Sequence, residues 1–165
     1  MKGSQTTVTI LMADDDEDDH ILVREALAEI QLRIDLHIVS NGEELLNYLY
    51  NRGRYNDKNQ APRPGLILLD LNMPKKNGLE VLKDIKTDPL LWSIPVIVLS
   101  SSDDKEDIYQ TYNLGANSFI TKPVKFPALV EIMKCIGKYW FEIVQIPLEA
   151  VGGINERQPD QSSIN

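Results

Sequence analysis

Leu66-Ile67-Leu68-Leu69-Asp70-Leu71-Asn72-Met73-Pro74 decides how this chain is read. Four apolar residues in a row, closed by an acid and an Asn/Pro turn, describe a short strand buried on both faces. Such strands belong to the middle of parallel sheets. The pattern recurs at Val96-Ile97-Val98-Leu99, closed by Ser100-Ser101. Upstream, Val8 to Ala13 runs into Asp14-Asp15; downstream, Phe119-Ile120-Thr121 runs into Lys122-Pro123. Strands are expected near 7–13, 34–39, 65–70, 95–100 and 117–121. Helical spacing of apolar residues predicts helices near 17–30, 42–51, 77–87, 103–113 and 125–140. In the first helix, Ile21, Leu22, Ala26, Leu27 and Ile30 carry the apolar face; in the last, Leu129, Ile132, Met133, Ile136, Tyr139 and Trp140 do. Five strand–helix alternations predict a doubly wound α/β fold, a parallel sheet covered by helices on both sides. Ligands of open α/β sheets bind at the carboxyl ends of the strands. Asp14, Asp15, Asp70, Ser100, Ser101 and Lys122 are therefore expected to meet there.

The 165 residues suit one domain with a substantial core. A net charge of −8 argues against binding to nucleic-acid backbones. Cys135 is the only cysteine, which precludes an intrachain disulfide and suits a reducing cytoplasm. No apolar stretch is long enough to span a membrane. Asn51 to Pro64 reads as a long polar loop, and 148–165 as a flexible polar tail. Neither His20 nor His37 belongs to a metal pair; His20 reads as a solvent-facing helix residue.

Four motifs carry a family resemblance: Met12-Ala13-Asp14-Asp15-Asp16, Leu69-Asp70-Leu71-Asn72-Met73-Pro74 with Gly78, Leu99-Ser100-Ser101, and Thr121-Lys122-Pro123. In this order and spacing, the chain resembles the receiver domain of two-component response regulators over roughly residues 6 to 140. Its long loop before Asp70 and its ending, Tyr139 to Pro147, are similar to stand-alone receivers that partner bacterial phytochromes. The resemblance implies a flavodoxin-like sheet of order 2-1-3-4-5. The receiver would span 6–147, with a C-terminal extension from about 141.

It also implies that Asp70 accepts a phosphoryl group from a sensor histidine kinase, of phytochrome type on the narrower match. Mg²⁺ or Mn²⁺ would be held by Asp14, Asp15, Asp70 and the backbone carbonyl of Asn72. Hard carboxylate and carbonyl oxygens are the donors such cations take. Lys122 and Ser100, with Ser101 beside it, would contact the phosphoryl oxygens, and Phe119 would report the change. Phe119 reads equally as a static core residue. Pro74, Gly78 and Pro123 are expected to shape the backbone, and the family pattern places a cis bond before Pro123.

Asp16 to Asp19 suit a helix N-terminus better than a cation, because acids there complement the macrodipole. An aspartyl-phosphate hydrolase would place a second Asp two residues after the nucleophile, where this chain has Asn72. A flavodoxin-like phosphate binder would carry a Gly/Ser/Thr-rich loop after the first strand, where six acids stand here. A phosphorylation-independent adaptor is the remaining alternative. The reading is of a signalling protein and not of an enzyme. It is expected to dimerise through the 103–140 face and the apolar C-terminal extension.

Overall fold

The computed structural model describes residues 7–148. The strands are β1 (Val8–Ala13), β2 (Ile34–Val39), β3 (Leu66–Leu69), β4 (Val96–Ser100) and β5 (Ser118–Thr121). They alternate with α1 (Glu17–Ala28), α2 (Gly42–Leu49), α3 (Gly78–Thr87), α4 (Lys105–Asn113) and α5 (Phe126–Gly137). All pairings are parallel, in the order β2-β1-β3-β4-β5. This is the flavodoxin-like, doubly wound order expected above. β1, β3 and β4 lie inside the sheet.

Side-chain alternation along a strand divides the core into two layers. Leu11, Ala13, Ile67, Leu69, Val96 and Val98 face Leu45 of α2 and Val81, Leu82 and Ile85 of α3. Ile10, Met12, Leu66, Leu68, Ile97 and Leu99 face Val23, Ala26 and Leu27 of α1 and Leu129, Met133 and Ile136 of α5. Because both faces of β3 are buried, its sequence shows no polar alternation.

Several helix starts carry their own caps. Asp16, Asn41, Asn77 and Asp104 each accept a backbone N–H from the first turn, of Asp18, Glu44, Glu80 and Glu106 respectively. The acids Glu17, Asp18 and Asp19 fill the first turn of α1, where the macrodipole favours them.

Some expectations change. The buried stripe of α1 is Val23, Ala26 and Leu27 with half-buried Ile30, whereas Ile21 and Leu22 are exposed. Positions 23, 26, 27 and 30 keep helical spacing, and Ile21 falls off that face. The last helix stops at Gly137 and continues as a π-helical turn, Lys138–Ile143. The 51–64 loop is partly ordered by its own polar groups. It contains a 3₁₀ turn, Gly53–Tyr55, and Asn51, in the left-handed region, donates from Nδ2 to the carbonyls of Tyr55 and Ala61. Tyr48 donates to the carbonyl of Pro62, and Ala61 is buried in the core. The C-terminal extension folds back on its own domain, since a Cβ at Gly65 would meet Ile146 Cδ1 at 2.9 Å and Val8 Cγ1 at 3.1 Å. Residue 6 and all but Leu148 of the expected 148–165 tail lie outside the described residues.

Candidate phosphoryl-acceptor site

Four strand ends, those of β1, β3, β4 and β5, assemble the site. Asp14 follows β1 directly, and Asp70 follows β3; both are buried, Asp14 at 1% and Asp70 at 6% exposure. Parallel pairing sets Ala13 beside Leu69, so the two acids emerge side by side. The Asp70 N–H donates to the Ala13 carbonyl at 2.9 Å, which ties the two turns together. Asp15 is exposed at the rim. One carboxylate oxygen from each of Asp14, Asp15 and Asp70 lies within 4.8 Å of the others. Hard carboxylate oxygens converging in this way, two of them from buried residues, fit a divalent cation such as Mg²⁺ or Mn²⁺.

Burial has an electrostatic signature. It pushes the Asp14 carboxyl up to about 6, against the opposing pull of Lys122 and the Asp16 N–H. Burial likewise raises Asp70, again opposed by Lys122. Two poorly solvated carboxylates together demand positive charge.

Lys122 supplies part of it. Its Nζ lies 2.7 Å from Asp14 Oδ2, 2.7 Å from Asp19 Oδ2 and 3.5 Å from Asp70 Oδ2. Burial pulls this ammonium down, but the bonds to Asp14 and Asp19 outweigh burial and leave it above the ordinary lysine value. The Lys122 N–H donates to the Ser100 carbonyl at 2.7 Å, so β4 and β5 aim the side chain between them. Among the described residues no peptide bond is cis, so Lys122–Pro123 is trans, against the family pattern. The trans form is the favoured one for X–Pro by about 0.5–1 kcal/mol.

Ser100 is fully buried at the end of β4, and its Oγ accepts the Ser102 N–H at 3.3 Å. Ser101 is exposed, and the neighbour that organises the loop is Ser102, whose Oγ donates to Asp107 Oδ2 at 2.8 Å. Phe119 is half-buried against the α2–α3 layer, and its N–H donates to the Tyr112 hydroxyl. Asn72 is exposed with its N–H 3.4 Å from Asp70 Oδ1, and Pro74 lies in the exposed turn beyond it. Gly78 is where the turn closes: its N–H donates to the Leu71 carbonyl at 2.9 Å. A Cβ there would stand 2.3 Å from the Asp70 carbonyl oxygen.

Two residues enter the site unannounced by the sequence. Asp19 fits its expected place in the first turn of α1, yet it also binds Lys122. His20 is not solvent-facing: its Nε2 lies 2.5 Å from the Asp14 carbonyl oxygen. Helical spacing returns positions 19 and 20 to the strand end they started from, a proximity that charge pattern alone does not reveal.

Known proteins resemble this chain over most of its length. The family model for the response regulator receiver domain matches residues 10–134. Response regulator Rcp1 of Synechocystis sp. is 38% identical over 138 residues, covering 84% of this chain and 92% of that protein. The crystal structure of the phosphorylated cyanobacterial phytochrome response regulator RcpA superposes with a TM-score of 0.80. It is 41% identical and covers 86% of this chain and 99% of its own. The Mn²⁺-bound form of Rcp1 has a TM-score of 0.78 at 38% identity, covering 85% and 99%. With its fold, its four motifs and these relatives in agreement, the chain belongs to the response regulator receiver domain family.

Proposed function

We propose that this receiver accepts a phosphoryl group on Asp70 from a sensor histidine kinase of the phytochrome type. The observation that carries the reading is the meeting of buried Asp70 with Asp14, Asp15, Ser100 and Lys122 at the carboxyl end of the sheet. The phytochrome assignment rests on the relative RcpA, a cyanobacterial phytochrome response regulator, and on the resemblance carried by the ending Tyr139 to Pro147.

In the reaction, an Asp70 carboxylate oxygen bonds to phosphorus as the P–N bond of the kinase phosphohistidine breaks. The leaving imidazole keeps the electron pair. Asp14, Asp15, Asp70 and the Asn72 carbonyl would hold Mg²⁺ or Mn²⁺. Such a cation, when bound, offsets the repulsion between an anionic nucleophile and an anionic donor. Lys122 places its ammonium on the phosphoryl oxygens, and the Ser100 hydroxyl donates to them. The new acyl phosphate adds about −1.5 to −2 charge. Drawing Ser100 toward it pulls the Ser101–Asp104 loop through the Ser100–Ser102 bond. Phe119, on β5 against the α2–α3 layer, would turn by packing alone, having no hydroxyl.

The output is a protein surface and not a turnover reaction. Tyr139, Ile143 and Val124 are exposed apolar side chains on and beside α5 and its π-helical turn. They support a homodimer through the 103–140 face and the extension. The net charge of −8 makes nucleic acid an unsuitable partner. No helix among the described residues is long and apolar enough to cross a membrane. A cytoplasmic setting completes the reading, with one unpaired cysteine and no need of an oxidising compartment.

Intact-mass analysis after incubation with Mg²⁺ and acetyl phosphate tests it, with a phytochrome-type kinase and ATP as second donor. The expected result is one phosphoryl adduct, dependent on Mg²⁺ and absent from Asp70→Asn. An adduct that persists in Asp70→Asn, or none from either donor, refutes the reading.

A further inference from the structure

Asp19 has no place in the chemistry above, yet it takes one of the shortest bonds of the key cation. An ammonium has three donors. Here Asp14 takes one and Asp19 another, each at 2.7 Å, while Asp70 stands 3.5 Å away. Asp19 is not among the carboxylates whose oxygens converge for a metal. It belongs to α1, whereas Asp14 and Asp70 belong to strand ends. It is also less buried than Asp14, at 26% side-chain exposure against 2%.

From this geometry, and resting on the phosphoryl-acceptor reading, we propose that Asp19 is a positioning residue: it holds Lys122 off Asp70 in the resting state and competes with the phosphoryl group for it afterwards. In the resting protein the pull of Asp19 keeps the ammonium from closing on Asp70, so Asp70 stays open to a cation. Once a cation engages Asp14, the hold of Asp14 on Lys122 weakens, and Asp19 becomes the chief rival of the phosphoryl oxygens. The bond from Lys122 to Asp19 must then loosen for Lys122 to serve the acyl phosphate. Asp19 thereby favours the empty, cation-ready site and limits the lifetime of the phosphorylated one.

The competition predicts opposite effects on two ligands. Asp19→Asn keeps the shape and removes the charge. Lys122 then leans on Asp70, and Mg²⁺ affinity falls. With Mg²⁺ saturating, the phosphoryl analogue beryllofluoride binds more tightly, because its rival for Lys122 is gone. A partly exposed charge pair sets the scale at roughly three- to fivefold for each effect. Asp19→Glu retains the charge and restores wild-type behaviour in part. Calorimetry with Mg²⁺ and fluorine NMR with beryllofluoride read the two affinities. The same Asp19→Asn change is repeated in a Lys122→Ala background, where both effects should vanish. Circular dichroism confirms that α1 remains folded in each variant.

Equal affinities in wild type and Asp19→Asn overturn the proposal. So does a shift of the same size with Lys122 absent, which would make Asp19 only a local charge or a helix-end residue. If the wild-type protein binds neither Mg²⁺ nor beryllofluoride, the phosphoryl-acceptor reading fails first and the proposal with it.

Discussion

Gly78→Ala tests whether one missing methyl group lets α3 sit against the Asp70–Leu71 turn. The new Cβ would lie 2.3 Å from the Asp70 carbonyl oxygen and 2.6 Å from Leu71 Cα. Both are backbone atoms, so no side chain can turn aside. The first contact falls about 0.7 Å short of the 3.0 Å that real Cβ contacts keep. Either α3 or the Asp70–Leu71 turn has to move by that much. Val81, Leu82 and Ile85 of α3 are fully buried against the sheet, so moving α3 opens the core behind it. Overpacking of this kind costs about 1–3 kcal/mol. Alanine recovers about 0.4–1 kcal/mol by restricting the unfolded chain. A net loss of about 1.3 kcal/mol follows, equivalent to a fall in Tm of roughly 3–5 °C. Urea unfolding gives the free energy, and Mn²⁺ titration of the folded variant reports the moved turn as weaker binding. A Gly78→Ala protein of wild-type stability and wild-type cation affinity would show that the close approach does not hold α3 in place. Gly53→Ala is the control: no atom lies within 4 Å of its Cβ, and only its φ of 58° is at stake. It should lose about 1 kcal/mol and leave cation binding unchanged.

Cation binding should weaken in acid. Asp14 is raised to about 6, so below that pH it is protonated in the empty site and must lose a proton to bind a cation. Affinity at pH 5 should be about tenfold below that at pH 7.5, measured by calorimetry with Mn²⁺; a flat profile would contradict the burial argument. Lys86 buries its ammonium to donate to the carbonyls of Trp92 and Ile94, and burial lowers it to about 8. A lysine lowered in the folded state binds fewer protons than the unfolded chain above that value, so stability should rise from pH 8 to 10. Tyr48 and Tyr50 are raised by burial and reverse the trend above about pH 10. The rise should vanish in Lys86→Met, followed by urea unfolding. Asn77→Ala removes the α3 cap that accepts the Glu80 N–H and should cost about 1 kcal/mol in the same assay. Ile143→Asp, at a 59%-exposed position, should move sedimentation toward monomer while leaving Tm unchanged. A wild-type distribution of species would remove the extension from the proposed dimer interface.

Much of this protein was legible in its sequence, for identifiable reasons. Leu66 to Leu69 and Val96 to Leu99 are apolar on both faces because both faces are covered, and that property is written residue by residue. Asp14, Asp15, Asp70, Ser100 and Lys122 close β1, β3, β4 and β5, and parallel pairing of these neighbours leaves their ends together. Less was legible where spacing permitted two answers. In α1, Ile21 and Leu22 are as apolar as the residues that bury. Only packing on Ile10, Met12 and Leu66 selected Val23, Ala26 and Leu27. The 51–64 segment looked like solvent-facing chain because its polar side chains satisfy the backbone of the loop itself.

The sequence by itself determined the alternation of elements, the two-layered core and the list of groups at the strand ends. Those are properties of neighbours along the chain. Tertiary structure alone decided how the charges are shared. Lys122 and Asp19 stand 103 positions apart and meet because the Lys122 side chain reaches from the end of β5 to the end of β1, where the first turn of α1 also lies. His20, by contrast, returns to Asp14 through the local spacing of the helix. Hydrophobic pattern is a local property of the chain, whereas the partner of a buried ion is set by whatever the finished sheet brings within about 3 Å of it.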